Sequence, residues 1–188
     1  MEKKANTEYP IHELLANRWS PRSFNSEKEI SLEVINSLFE AARWAPSSYN
    51  MQPWSFIYGK RDEATFNKIN EILTPFNQLW APKSSMLVLV TGNSLSPDGS
   101  LNSAYAYDCG TAVANLTFEA SSRGLYVHQM GGFDIQKASE TFNLPNHIKP
   151  IVVIAVGFID EASKLHENLV DMEKSPRNRK PISEFVFN

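Results

Sequence analysis

Apolar residues recur at helical spacing in several stretches of the chain. The clearest helix begins after Ser31, which can cap it, and ends before Pro46, which cannot continue it. The longest helix is predicted over residues 103–123, where Gly124 supplies the stop. Their apolar stripes are Leu32, Ile35, Leu38, Phe39 and Ala42 in the first, and Cys109, Ala112, Val113, Leu116 and Ala120 in the second. Shorter helices are predicted around residues 11–15, over 62–73, and after Asp134 as a cap.

Short apolar runs between these helices predict the strands. Residues 86–90 and 151–158 are apolar almost throughout, which is typical of strands buried on both faces. Residues 55–58 and 125–129 predict two more strands. Helices and strands do not alternate regularly, so the order predicts an α+β fold, a single domain over residues 1–188, rather than a doubly wound one. The apolar tail after Pro181 is expected to be extended and to pack on another surface, with a second subunit as one candidate.

Charge and composition narrow the classes of function. The 188 residues carry a formal net charge of −3, so no extended basic face is available for a nucleic acid or a membrane surface. Residues 1–10 lack the apolar core of a signal peptide, and no apolar segment approaches the ~20 residues that span a bilayer. We therefore expect a cytoplasmic protein without a membrane partner.

Classical catalytic and metal motifs are missing from the sequence. The single cysteine, Cys109, excludes an intrachain disulfide, and its neighbours indicate an inert thiol on a helix face. The four histidines have no metal-ligand spacing, so no metal site is expected. The pair Gly131–Gly132 lacks the spacing of a dinucleotide fingerprint. Because no catalytic side-chain set emerges, a bound cofactor is expected to carry the chemistry.

Two short basic segments stand out in this acidic chain. The first basic loop, residues 18–22, contains Arg18, Ser20 and Arg22, and the second basic loop, residues 177–181, contains Arg177 and Arg179. Guanidinium groups bind phosphate through paired, charge-assisted hydrogen bonds, to which a hydroxyl can add a neutral donor. A single loop of this kind is more often solvated surface. Together they predict one phosphate held between them.

Two further segments predict contacts with a flat, polar-edged ring. In the polar loop, residues 45–54, a proline that stops a helix is followed by two hydroxyls and two amides, which can match the pyrimidine edge of an isoalloxazine. The alternative is a polar loop closed by a core tryptophan, Trp54. At Gly131 and Gly132 the backbone can approach a ligand closely, and its N–H groups could bond flavin N5 and O4. A tight turn into the Asp134 cap is the alternative there.

These segments, in this order, resemble the nitroreductase family of FMN flavoproteins. The resemblance rests on R-x-S-x-R, A-P-S-S-x-N-x-Q-P-W-x-F, a long helix that starts D-C-G and is followed by G-L, a G-F-D turn, and R-x-R-K-P. It covers roughly residues 17–187. It implies a nitroreductase-like α+β fold, in which helices flank a central, mostly antiparallel sheet, and an intertwined homodimer with two FMN molecules at the subunit interface.

The resemblance also implies roles for individual residues. Arg18 and Arg179 correspond to phosphate ligands with Arg177 nearby, Trp19 and Ser20 to the ribityl and phosphate region, and Arg22 to a group that reaches toward the ring. Pro46, Ser47, Ser48 and Asn50 would come from the opposite subunit, Met130, Gly131 and Gly132 would pass behind the ring near N5, and Asn77 is a further candidate for a ring contact. Trp19 and Gly131 depart from the family, which often has a basic residue and a glutamate at these positions.

The implied activity is that of an FMN-dependent oxidoreductase. Non-covalently bound FMN would pass hydride at N5 from NAD(P)H to a small-molecule acceptor, a nitroaromatic or a quinone, in a ping-pong cycle. No side chain would be catalytic. Two alternatives remain open: a specialised member such as an enone reductase or a flavin-destructive enzyme, and a non-catalytic FMN storage or regulatory protein.

Overall fold

A four-stranded sheet forms the centre of the molecule in a computed structural model, which describes residues 3–188. Its strands are β1 (Trp54–Lys60), β2 (Met86–Asn93), β3 (Tyr126–Met130) and β4 (Ile148–Gly157), in the spatial order β1-β2-β4-β3. Each neighbouring pair is antiparallel. All four strands lie where the apolar runs predict them, and β2 and β4 occupy the centre of the sheet, as their continuous hydrophobicity indicates.

Seven α-helices surround the sheet within the described residues. They are α1 (Glu13–Asn17), α2 (Leu32–Arg43), α3 (Ala64–Glu71), α4 (Pro75–Gln78), α5 (Tyr105–Ser122), α6 (Ile135–Thr141) and α7 (Glu167–Lys174). Single 3₁₀ turns occur at Ser48–Asn50, Ala81–Lys83, Ala162–Lys164 and Ile182–Glu184. The fold is therefore α+β, with helices covering a wholly antiparallel sheet.

Strand β2 supplies side chains to a separate apolar core on each face of the sheet. Met86, Val88 and Val90 pack with the apolar stripes of α2 and α5. Leu87 and Leu89 point to the other face, where they join side chains from α3, α6 and the segment around Trp80. Because successive side chains of a strand alternate between faces, the uniformly apolar sequence of β2 is explained by burial on both sides.

Local capping fixes the ends of three predicted helices. The Ser31 hydroxyl accepts a hydrogen bond from Val34 N at the start of α2, and an Asp134 carboxylate oxygen accepts one from Lys137 N at the start of α6. Gly124 has a φ of 71° shortly after the end of α5, a left-handed conformation that glycine adopts without steric cost. The sequence predicts all three of these helix ends.

Helices α4 and α7 were not predicted. Helix α4 has only four residues and starts at Pro75, so it is too short to show a periodic pattern. Helix α7 buries little apolar surface, since its buried positions are Leu169 and the charged Glu173. The prediction of an extended tail was also wrong in part, because residues Ile182–Glu184 form a 3₁₀ turn.

Cys109 is a fully buried residue of α5, as the sequence predicts for an inert thiol. Burial, and secondarily the neighbouring Asp108 carboxylate, raises the pKa of the Cys109 thiol to about 12. The thiolate is the reactive form of cysteine, so this thiol is unreactive at neutral pH. Among residues 3–188, no helix has the length and hydrophobicity needed to cross a membrane.

Candidate functional site

The two basic loops meet at one cavity, although they lie more than 150 residues apart in the sequence. The cavity has a volume of about 210 Å³. Its lining residues are Lys3, Arg18, Trp19, Ser20, Arg22, Met172, Ser175, Pro176, Arg177 and Arg179. A second cavity of about 390 Å³ shares Arg18, Arg177 and Arg179 and is otherwise lined largely by residues 5–15 and by Ile182 and Phe185. Every basic site residue predicted from the sequence therefore lies at this position.

Three of the guanidinium groups have no carboxylate partner in the part of the chain that the structure describes. No carboxylate of residues 3–188 forms an ion pair with Arg18, Arg177 or Arg179. Burial and the positive charges of Arg177 and Arg179 lower the pKa of Arg18, and burial and Arg179 lower that of Arg177. Uncompensated positive charge at this density favours the binding of an anion.

The three arginines differ in how their side chains are held. Arg177 Nη1 donates to the backbone carbonyls of Lys3 at 2.6 Å and Ala16 at 2.8 Å. Arg18 Nη1 donates to the Ser20 hydroxyl at 3.2 Å. Arg179 is exposed, and its Nη1 bonds only the carbonyl of the preceding residue. Arg177 therefore connects segments of the chain, whereas Arg18 and Arg179 keep most of their donors for a ligand.

Arg22 is anchored by a carboxylate that sequence reasoning missed. Glu173 accepts hydrogen bonds from Arg22 N and Ser23 N, and its Oε2 lies 3.8 Å from Arg22 Nη1. The guanidinium also lies over the Phe76 ring, 5.8 Å from its centroid. The buried Arg22 Nε has no hydrogen-bond partner among residues 3–188. No local signal in the sequence marks Glu173, because its partners lie 150 residues away.

Trp19 and His128 form the apolar backing of the first basic loop. Trp19 is only 6% exposed and packs edge-on against Tyr126, so it presents little surface to the cavity that it lines. The His128 ring donates from Nδ1 to the Pro21 carbonyl at 2.8 Å, and its centroid lies 4.4 Å from the Trp80 ring centroid. Burial, more than the nearby arginines, lowers the pKa of His128 to about 4.

The glycine pair after β3 leaves its backbone accessible. The Gly132 carbonyl accepts hydrogen bonds from Asn77 Nδ2 at 2.9 Å and from Thr74 N at 3.0 Å. A Cβ at Gly132 would lie 2.8 Å from Asn77 Nδ2. A Cβ at Gly131 would meet nothing within 4 Å. Neither glycine N–H donates to the backbone of another described residue. The Asn77 amide thus holds the glycine turn, while Met130 is buried beneath it.

The polar loop lines neither arginine cavity. Three of its residues, Tyr49, Asn50 and Gln52, have φ values of 49°, 54° and 47°, a left-handed conformation that costs energy for residues with a Cβ. Gln52 N donates to the Ser47 hydroxyl at 3.1 Å, and Gln52 Nε2 donates to the Asn50 carbonyl at 2.9 Å. Backbone strain of this kind concentrates at functional sites.

The polar loop is fixed to the start of α5. The buried Asp108 carboxylate accepts a hydrogen bond from Ser48 N at 3.1 Å, and the Thr111 hydroxyl donates to the Pro46 carbonyl at 3.0 Å. Pro46, Ser47, Ser48 and Asn50 are therefore presented from the α5 side of the sheet. Within one chain the structure does not bring them to the basic loops. No group of three or more potential metal-ligating residues occurs within residues 3–188.

This chain is similar to known proteins in both sequence and fold. A family model described as the nitroreductase family matches residues 15–92 and 76–158. A solved structure of an oxidoreductase containing FMN has a TM-score of 0.91 and 31% identity, covering 97% of this chain and 93% of that chain. An uncharacterized 15.4 kDa protein of Mycolicibacterium smegmatis is 31% identical over 140 residues, 70% of this chain and 93% of that protein. The major NAD(P)H-flavin oxidoreductase of Aliivibrio fischeri is 32% identical over 90 residues, 47% of this chain and 41% of that protein.

Proposed function

Because this chain belongs to the nitroreductase family, we propose that it is an FMN-dependent oxidoreductase that takes hydride from NAD(P)H. The acceptor in this proposal is a nitroaromatic or a quinone, reduced in the second half of a ping-pong cycle. The similarity to a solved FMN-containing oxidoreductase supports the cofactor. The similarity to an NAD(P)H-flavin oxidoreductase supports the electron donor.

The observation that carries the proposal is the group of three guanidiniums that form no ion pair with a carboxylate of the described residues. A phosphate ester such as FMN supplies the missing negative charge, and its oxygens accept the paired donors that guanidinium offers. Arg18, Ser20 and Arg179 would hold the phosphate. Arg22 would face the ring from beside Phe76, to which its guanidinium is already close. The donor set present in the chain therefore fits FMN.

The chain's remaining task is to bind and orient rather than to react. Bound FMN would supply the redox chemistry, since a flavin can accept and donate hydride. The N–H groups of Gly131 and Gly132 are suited to donate to the ring and to stabilise negative charge there. The missing side chain at Gly131 leaves that approach open. Trp19, Trp80 and His128 pack behind the first basic loop and keep water from its inner side.

A second copy of the chain would supply the other half of the site. The polar loop carries Ser47, Ser48 and Asn50, yet it lines neither cavity of its own basic loops. Large apolar side chains around it are exposed, among them Tyr49 at 93%, Tyr107 at 76% and Trp44 at 72%. Such a patch is typical of a protein interface. We include in the proposal a homodimer in which each polar loop faces the partner's basic loops.

We expect the protein to be a dimer whose dissociation releases FMN. Light scattering with absorbance detection should give twice the chain mass of 21.2 kDa for the yellow species. Tyr107→Glu, which places a charge on the exposed patch, should produce a colourless monomer, whereas Glu27→Gln, at an exposed position in the segment before α2, should not. A yellow monomer would contradict the shared site.

The proposed activity predicts a yellow protein with catalysed turnover. Heat denaturation should release free FMN into the supernatant, identified by chromatography, because the cofactor is held without a covalent bond. Addition of menadione or a nitrofuran should start steady-state oxidation of NADH or NADPH. Double-reciprocal plots of the initial rate at several fixed acceptor concentrations should give parallel lines, as a ping-pong cycle requires. Recovered FAD, or an inability to bind any flavin, would refute the cofactor. Bound FMN without turnover would instead identify a carrier.

A further inference from the structure

Glu173 is a buried carboxylate within the group of basic residues. It lies in the last turn of α7 and is 2% exposed. Its oxygens accept hydrogen bonds from Arg22 N at 2.9 and 3.1 Å and from Ser23 N at 3.1 Å. The carboxylate is therefore solvated by the backbone of the first basic loop instead of by water. A buried charge that is satisfied in this way fixes the groups that satisfy it.

The chain that follows Glu173 also holds the start of the first basic loop. Arg177, four residues after Glu173, donates to the Ala16 carbonyl. Arg18 and Ser20 thus lie between two attachments, Arg177 on Ala16 and Glu173 on Arg22. These attachments set how the first basic loop faces the second.

Charge repulsion opposes this arrangement. Burial, and after it the positive charges of Arg177 and Arg179, lower the pKa of Arg18, and like charges held this close repel one another. Among residues 3–188, Glu173 is the only carboxylate within ion-pair distance of Lys3, Arg18, Arg22, Arg177 or Arg179. Of the acidic groups that the structure describes, it is consequently the one that offsets this repulsion from a buried position.

We propose that Glu173 is a positioning residue for the phosphate group of FMN. It makes no contact with the ligand and acts through the backbone N–H groups of Arg22 and Ser23. By holding them it keeps Arg18 and Ser20 directed toward the second basic loop before the phosphate binds. The proposal rests on the function proposed above, because it assumes that this loop pair binds the phosphate of a flavin nucleotide.

Three roles of Glu173 predict different effects of the substitution Glu173→Gln. If the carboxylate acts only through its charge, its loss makes the site more positive and FMN binds more tightly. If it contributes only to stability, the unfolding temperature falls and FMN affinity is unchanged. If it positions the loop, FMN affinity falls, because the amide NH2 of glutamine would replace Oε2 and face two donors, Arg22 N and the Arg22 guanidinium.

The test is titration of flavin-free protein with FMN and with riboflavin, which lacks the phosphate. We expect Glu173→Gln to raise the dissociation constant for FMN about tenfold or more, with a much smaller change for riboflavin. Glu173→Asp keeps the charge but is one methylene shorter, so it should also weaken FMN. Glu167→Gln, an exposed position in the first turn of the same helix, is the matched control and should leave both constants unchanged.

Several outcomes would overturn the positioning role. These are unchanged or tighter FMN binding by Glu173→Gln, equal losses for FMN and riboflavin, and unchanged FMN binding by Glu173→Asp. Circular dichroism establishes that each variant folds, and if Glu173→Gln does not, the Glu173→Asp titrations decide. If the wild type binds no flavin, the proposed function fails, and calorimetry with inorganic pyrophosphate then tests Glu173 directly. Equal pyrophosphate affinity in wild type and Glu173→Gln would overturn the role, and weaker binding by the variant would support it.

Discussion

Replacement of Arg18 by alanine is expected to weaken FMN binding by roughly ten- to a hundredfold, the size of one lost charge-assisted pair with phosphate. Arg18 is half-buried, and it donates to Ser20 on the wall of the cavity. Arg179→Ala should weaken binding in the same range, nearer the lower end, because its exposed guanidinium loses more flexibility on binding. Fluorescence titration of flavin-free variants with FMN measures both effects.

The variants should keep most of their turnover when saturated with FMN, because the phosphate lies at the far end of the cofactor from the redox ring. Arg123→Ala is the matched control, since Arg123 is an arginine that pairs with Glu119 outside the site. It should bind FMN like the wild type. Dissociation constants equal to that of the wild type would remove Arg18 and Arg179 from the phosphate site. Normal affinity without turnover would mean that their role lies in the chemistry instead.

Acid is expected to destabilise the protein through His128. Burial lowers the pKa of His128 from 6.5 to about 4 in the folded state, while the unfolded chain keeps the ordinary value. At pH values between 6.5 and 4 the imidazole is protonated in the unfolded state but neutral in the folded state. The contribution of His128 to stability is therefore complete above pH 6.5 and is lost as the pH falls toward 4. The full loss amounts to about 3 kcal/mol in the free energy of unfolding.

Urea unfolding at pH 7 and pH 4.5 tests this contribution. His128→Gln retains a side-chain donor for the Pro21 carbonyl but cannot titrate, so its stability should fall less between the two pH values than that of the wild type. His147→Gln, at an exposed histidine, should behave like the wild type. Identical acid sensitivity of the wild type and His128→Gln would show that the imidazole is not excluded from protonation in the folded state.

Local signals in the sequence were sufficient for most of the fold. Ser31, Gly124 and Asp134 act through hydrogen bonds or φ angles within their own segments. Their roles can therefore be predicted without knowledge of the tertiary structure. The apolar run of β2 similarly reports burial on both faces. Helix α7 was missed because its stability depends on what Glu173 and Leu169 contact, and its own pattern does not reveal this.

The part of the candidate site that could be predicted is the part whose residue types themselves indicate the ligand, as arginines indicate an anion. Two arginine-rich loops in an acidic chain suggested convergence, and the structure brings them to one cavity. Contacts with backbone groups that are distant in the sequence were not predictable. Glu173 accepts hydrogen bonds from residues 150 and 151 positions away, and the Asn77 side-chain amide donates to the Gly132 carbonyl. The left-handed conformations of Tyr49 and Gln52 were equally hidden, since neither residue type favours them.

The left-handed turn of the polar loop also limits how this protein can diverge. Within one chain Tyr49 is almost fully exposed, so packing inside the chain does not restrict the side chain at this position. Its φ of 49° excludes β-branched residues and favours glycine, asparagine and aspartate. A randomised library at position 49 should therefore return valine, isoleucine and threonine rarely, whatever substrate is used for selection. The backbone restricts the accessible variants before any ligand does.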